Sequence, residues 1–225
     1  VGEGTIRDAI ATAFLDGSEG AVRAVERAYE VTNDFRTVSE TARERGRDGL
    51  DSLEVELFRP VKAMLAQKAE NVTDALDATD RPLVEYKYDG MRTKIHVRGD
   101  DVRAFTRRLE DVTAQFPDVV AAVRDEVAAE EAIVEAEVVA YDPDTGGPIP
   151  FQEFSKRIKR KNDIEEMAAE YPVTVRVFDL LYHDGESLVD RPLAERVTRL
   201  ERLLDDDDGT IRRAANLRPA WVDEA

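Results

Sequence analysis

From Leu83 onward apolar and polar residues alternate with a period of two, and tight turns separate the runs. Leu83, Glu85 and Lys87 alternate with Val84, Tyr86 and Tyr88, and Asp89-Gly90 is a turn signal. Met91, Thr93, Ile95 and Val97 then alternate with Arg92, Lys94, His96 and Arg98. Gly99-Asp100-Asp101 returns the chain into Val102–Thr106, which predicts a hairpin. Further alternating runs are Ala132–Tyr141, with Ile133, Glu135, Glu137 and Val139 on one face, and Val173, Val175, Val177 leading into Phe178-Asp179-Leu180-Leu181. Helical spacing is expected over 114–129 and Arg191–Leu204, and 142–147 reads as a loop. Strands joined by hairpins and interspersed with helices point to an antiparallel α+β fold over a doubly wound parallel sheet.

The first 50 residues differ. Ile6, Ile10 and Phe14, then Val22, Val25 and Tyr29 after a Gly17-Ser18 break, carry helical spacing. Thr37 with Glu40 is a capping-box signature, and Gly46 and Gly49 are expected to end that helix. Phe58 to Gln67 reads as an extended connector, and the tail from Asp205 has little periodicity.

Net charge taken alone, at -17, excludes a polyanionic partner, yet the few bases concentrate at Arg92, Arg107 and Arg108 and over 156–161. Disorder is a second reading of so charged a chain, but 42% hydrophobic residues and only 21 Gly plus Pro favour folding. A surface adapted to strong salt is a third, because only 7 of the 32 bases are Lys. Cysteine is absent, which excludes disulfides and thiolate zinc sites, and two His leave little for imidazole metal sites. No apolar stretch reaches the roughly 20 residues that span a bilayer. The expectation is a cytoplasmic protein with no membrane association.

The segment Glu85-Tyr86-Lys87-Tyr88-Asp89-Gly90-Met91-Arg92 is the most informative. A Lys ending a half-buried strand, on the face of a Glu two residues earlier, is a nucleophile when desolvation and neighbouring cations free its amine. The competing reading is a solvated Lys in a hairpin. Lys-x-Asp-Gly followed by Arg92 resembles the nucleotidyltransferase motif of ATP-dependent DNA ligases, RNA ligases and mRNA-capping enzymes. Three further segments follow in order. Thr106-Arg107-Arg108-Leu109-Glu110-Asp111-Val112-Thr113 resembles the Ser-Arg-x-x-Glu-Asp segment of DNA ligases. Val134 to Val139 resembles their acidic strand, with Glu-Ala-Glu replacing the commoner Asp-Gly-Glu, and Phe178 to Tyr182 resembles their aromatic strand. The helical start is similar to the end of the DNA-binding domain of archaeal and eukaryotic replicative ligases, and the acidic bias points to a haloarchaeal member.

The resemblance implies that Lys87 attacks the α-phosphate of ATP to form a lysine–AMP phosphoramide. Arg92 and Arg107 would hold ribose and phosphate oxygens. Glu85 would read the adenine amino group, Phe178 would stack on the adenine, and Glu137 would contact ribose or a divalent metal. For Phe178 a plain core position competes, and Asp89 has a structural role in the turn as its alternative. Magnesium is expected, because nucleotidyl transfer needs a cation on the phosphate oxygens. Lys156-Arg157-Ile158-Lys159-Arg160-Lys161 holds five bases in six residues, after a loop predicted over Pro148–Phe154. Lys156, Arg157, Lys159, Arg160 and Lys161 are expected to meet DNA phosphates, against the reading of a solvated charge run. Phe151 would press on the DNA near a nick, or else anchor its loop on the core.

The implied organisation is the end of a helical DNA-binding domain over 1–55 and a partial adenylation domain over 56–225. A Glu-Gly-x-x-x-Lys-like segment and a later strand with Lys pairs are not found before Ala225, nor is an OB-fold domain. An internal fragment or truncated product is therefore expected, forming little lysine–AMP alone. The implied partners are nicked double-stranded DNA and, in a longer protein, a sliding clamp; a monomer is expected. An mRNA-capping or RNA-ligase nucleotidyltransferase and a non-catalytic nucleotide- or DNA-binding remnant are the alternatives.

Overall fold

The computed structural model describes residues 2–63, 66–204 and 209–217. Three helices open it: α1 (Glu3–Phe14), α2 (Glu19–Thr32) and α3 (Phe35–Asp51). Their apolar faces meet in a separate cluster centred on Val25, Val38 and Leu50. Ser18 caps α2 by accepting from the Ala21 amide. The cap of α3 is Asp34, not Thr37: its carboxylate accepts from the Arg36 amide at 2.9 Å and from the Thr37 hydroxyl at 2.6 Å. Gly46 kinks α3 at φ 61° without ending it, and one further helical turn follows.

A six-stranded sheet forms the second layer. Strands β2 (Met91–Arg98), β3 (Asp101–Thr106), β4 (Glu131–Ala140), β5 (Val173–His183) and β6 (Glu186–Ser187) run antiparallel in the order β3-β2-β4-β5-β6. After the short α4 (Val72–Asp77), β1 (Val84–Glu85) pairs instead with β8 (Asn216–Leu217), and β7 (Ile211–Arg213) lies parallel to β5. The fold is thus the antiparallel α+β class that the alternation predicts. The tail supplies β7 and β8, which its weak periodicity did not announce. The helix expected over 114–129 is a 3₁₀ turn followed by α5 (Pro117–Glu126).

The period-two pattern divides the sheet cleanly. Met91, Ile95 and Val97 on β2, Val134, Ala136 and Val138 on β4, and Val175 and Val177 on β5 form the core under α5 and α8 (Leu193–Leu203). The opposite face carries Arg92, Lys94 and His96 beside Glu137, Glu135 and Ile133. That face is shared between two tasks. At the Ile133 end it packs against Val31, Val55 and Val61, which joins the helices to the sheet. At the Glu137 end it is polar.

His96 fixes the joint. Its Nδ1 accepts from the Phe58 amide at 2.9 Å, so the neutral ring carries its proton on Nε2. Phe58 adopts a left-handed φ of 63°, with the Arg98 and Arg103 guanidinium groups 5.5 and 4.6 Å from its ring centre. Burial, with Lys94 and Arg103 nearby, pushes the His96 pKa down to about 3. The unfolded chain, with an ordinary imidazole, therefore binds the extra proton between roughly pH 3 and 6.5. This contribution to stability is complete above that window and declines by up to about 1.4 kcal/mol per pH unit as pH falls through it. Urea unfolding from pH 7 to 4 is expected to show that decline, and His96→Asn to flatten it.

Candidate functional site

A cleft of about 990 Å³ opens on the polar end of the sheet. It brings together Lys87, Arg92, Arg107, Glu137, Phe178, Phe151 and Lys159, drawn from five stretches of sequence. The nucleophile segment differs from its expected form. β1 ends at Glu85, and Lys87 lies in non-strand chain and is exposed, not half-buried. The segment is tied instead to the tail: the Tyr86 amide donates to the Ala215 carbonyl at 3.4 Å, and the Ala215 amide donates to the Tyr88 hydroxyl at 3.3 Å. Asp89 accepts from the Phe151 amide at 3.3 Å, a structural bond across the cleft mouth.

Gly90 turns this segment into β2 at very close quarters. A Cβ there would lie 2.3 Å from the Val138 carbonyl oxygen, a backbone atom that cannot step aside. The Gly90 amide also bonds the Glu137 carboxylate. Gly90→Ala is expected to cost about 1–3 kcal/mol and to displace the Lys87 segment, which unfolding and nucleotide titrations would register together.

Charge is organised around the cleft floor. Glu135 is buried and bonds Arg92 at 2.6 Å and Lys94. Burial raises its pKa, but Lys94 and then Arg92 outweigh that and hold the carboxyl below the usual range. Glu137 is pushed up, chiefly by burial, with Lys87 and Arg92 opposing. Phe178 is half-buried and faces the cleft, 5.3 Å from the Arg92 guanidinium, so it is not a plain core residue. Glu85 lines a depression on the other side of Phe178 instead of the main cleft. The protein packed behind it and the Asp179 carboxylate push its pKa up.

Thr106 shapes the opposite wall. Its hydroxyl accepts from the Arg108 and Glu110 amides, each at 3.3 Å, in a tight turn that presents Arg107 and Arg108. The walls thus carry Lys87, Arg92, Arg107, Arg108 and Lys159 against Glu110 and Glu137. Elsewhere arginines sit on carboxylates, as Arg36 does on Glu40 and Arg199 on Glu186. Lys87, Arg107, Arg108 and Lys159 enter no ion pair among the described residues. A chain at -17 has kept a cationic cleft.

The basic run needs correction. Phe151–Ile158 is a helix, α6, where a loop was expected, and α7 (Ile164–Glu170) follows it. Arg157 does not face solvent or phosphate. It is 1% exposed, bonds Asp118 through two nitrogens, and donates to the carbonyls of Gln115 and Tyr171 at 3.2 and 2.9 Å. Its guanidinium also lies 4.4 Å from the Phe116 ring centre. This anchor holds α6 so that Phe151, Ser155 and Lys159 line the cleft. Lys156, Arg160 and Lys161 are exposed outside the cleft lining. The overlooked helix signal was Phe151, Phe154 and Ile158 at helical spacing.

Sequence reasoning also passed over Tyr86, Tyr88, Arg108, Glu110 and Ser155 as lining residues. Arg108 and Glu110 lay inside a segment already singled out. Ser155 had no signal while α6 was read as a loop.

The family model described as ATP dependent DNA ligase domain matches residues 63–225. The chain belongs to the ATP-dependent DNA ligase family. A DNA ligase of Nanoarchaeum equitans is 49% identical over 94% of this chain and 37% of its own length. A DNA ligase of the haloarchaeon Halobacterium salinarum is 46% identical over 92% of this chain and 36% of its own. Among solved structures, the ligase domain of M. tuberculosis LigD is 26% identical, with a TM-score of 0.45, over 61% of this chain and 40% of that one. This ligase segment therefore spans well under half the length of the curated relatives it matches.

Proposed function

We propose that this chain supplies the nucleotide-charging portion of an enzyme that seals nicks in double-stranded DNA. Residues 1–55 then belong to its helical DNA-binding domain and 56–225 to its adenylation domain. The observation that carries the reading is the set of cations Lys87, Arg107, Arg108 and Lys159, without ion-pair partners among the described residues, in a cleft with an aromatic ring at one end. The Lys87 amine, once deprotonated, attacks the α-phosphorus of ATP. The bond to the β-phosphate oxygen breaks, pyrophosphate leaves with the electron pair, the nitrogen gives up one further proton to water, and a lysine–AMP phosphoramide forms. Arg92, Arg107 and Arg108 offer planar forks to phosphate and ribose oxygens. Phe178 supplies a face for the adenine, and Glu85 lies behind that ring. Phe151 and Lys159, on the α6 wall, and the exposed Lys156, Arg160 and Lys161 are assigned to the DNA.

Among the described residues no group of three or more acidic or imidazole side chains gathers as a metal cage. A magnesium ion shared between phosphate oxygens and the single Glu137 carboxylate fits that donor set, since magnesium is commonly held by one or two carboxylates plus phosphates. Bound there, it would offset charge developing on the departing pyrophosphate.

Incubation of the full-length parent protein with α-labelled ATP, or with α-labelled GTP, tests the reading. An acid-labile protein label from ATP alone supports it. A label from GTP points to a capping-type enzyme and overturns it.

A further inference from the structure

The end of the cleft that bears Phe178 is built on an irregularity in β5. Glu135 of β4 faces Asp179, but its neighbour Ala136 faces Val177, so Phe178 is left over as a bulge residue. A bulge re-aims a side chain out of the regular pleat. Alternation from the core residue Val177 sets Phe178 on the cleft face, and with the register shifting just after it Phe178 lines both the main cleft and the depression that holds Glu85.

The next residue, Asp179, is held from outside the sheet. Arg196 of α8 grips it as a fork, Nε to Oδ1 at 2.7 Å and Nη2 to Oδ2 at 3.1 Å. Its remaining nitrogen donates to the Arg191 carbonyl at 2.6 Å. The two side chains are only 17% and 16% exposed. Asp179 Oδ1 also accepts from the Leu180 amide at 2.8 Å, which ties the carboxylate to the backbone just after the bulge. Asp179 sits opposite the buried Glu135 and acts on Glu85. Asp179 thus has one carboxylate opposite it and another within electrostatic reach, with Arg92 and Lys94 as the partners of Glu135 and Arg196 as its own. Arg196 itself lines neither the cleft nor the depression.

We propose that Arg196 is a positioning residue for the nucleobase end of the cleft. By gripping Asp179 it fixes the bulge that aims Phe178, and it keeps the Asp179 charge from displacing Glu85. The inference rests on the reading of the cleft as an ATP site, and the test separates the two. The chain is titrated with ATP and with inorganic tripolyphosphate, which has the phosphates but no base. Arg196→Met is expected to weaken ATP about tenfold and to leave tripolyphosphate within about twofold. Arg196→Lys keeps the charge without the fork and is expected to fall between. Asp179→Asn added to Arg196→Met is expected to lose no more than Arg196→Met alone, since both act through one contact.

An equal loss for both ligands, or no loss in a folded Arg196→Met chain, overturns the proposal. If Arg196→Met does not fold, Arg196→Lys decides, and an unchanged ratio of ATP to tripolyphosphate affinity overturns it. A wild-type chain that binds ATP no better than tripolyphosphate removes the underlying reading of the cleft instead.

Discussion

When Lys87→Ala is placed in the full-length parent protein, covalent transfer of label from α-labelled ATP is expected to fall about 10³-fold or more, to the background of the assay. The removed amine is the nucleophile in the proposed reaction, and Lys159 on the α6 wall is the other amine lining the cleft among the described residues. Arg92 is bound to Glu135, and a guanidinium stays protonated at any working pH. The loss is expected without a loss of fold. Lys87 is exposed and supports no strand, so unfolding in urea should shift by no more than about 0.5 kcal/mol. Lys87→Arg should be equally inactive while keeping the charge, which separates nucleophile from electrostatics. Retention of label in either variant would assign the covalent step to another residue.

Arg157→Ala is expected to destabilise the chain by about 3–5 kcal/mol, measured by urea unfolding. The substitution strands the Asp118 carboxylate and frees two carbonyls that now receive the guanidinium. It also opens a hole beside Phe116 and Phe154, whose rings meet edge to face at 5.9 Å. Lys161→Ala, at the end of the same six-residue run, should cost no more than about 0.5 kcal/mol because its side chain is exposed. The pair of variants divides the run into one structural anchor and a set of surface cations. An Arg157→Ala chain of unchanged stability that binds nicked DNA more weakly would restore the phosphate role. A double-mutant cycle with Asp118→Ala should show coupling, because the buried guanidinium bonds the partly exposed Asp118 carboxylate through two nitrogens.

The two variants also mark where sequence reasoning works and where it stops. Glu85 to Arg92 could be picked out because a Lys and an Arg flank a turn signal within eight residues. The faces of β2 and β4 could be assigned because side chains alternate strictly in a strand, and Ile133, Glu135 and Glu137 do share a face. The same rule puts Phe178 on the face opposite the core residue Val177, which is the cleft face, but it does not reveal that the β5 register shifts just after it. No local pattern announces a bulge, since it arises from pairing with β4, some forty residues away in sequence. Arg157 is similar. Its neighbours in sequence are bases and make it look like surface, whereas its neighbours in space are Asp118, Gln115 and Tyr171.

The charge separates the two levels most plainly. Composition alone set the net value at -17 and excluded disulfide and thiolate chemistry. Periodicity set the antiparallel α+β class, and the ordered motifs located the nucleophile and its family. Those properties live in residue identity and short spacing, which the chain carries before it folds. Tertiary structure alone decided which bases are free. It buried Arg157, spent Arg196 on Asp179 and Arg92 on Glu135, and left Lys87, Arg107, Arg108 and Lys159 facing one cleft. The physical reason is that a charge's role depends on distance and burial, and both are set by residues far away along the chain.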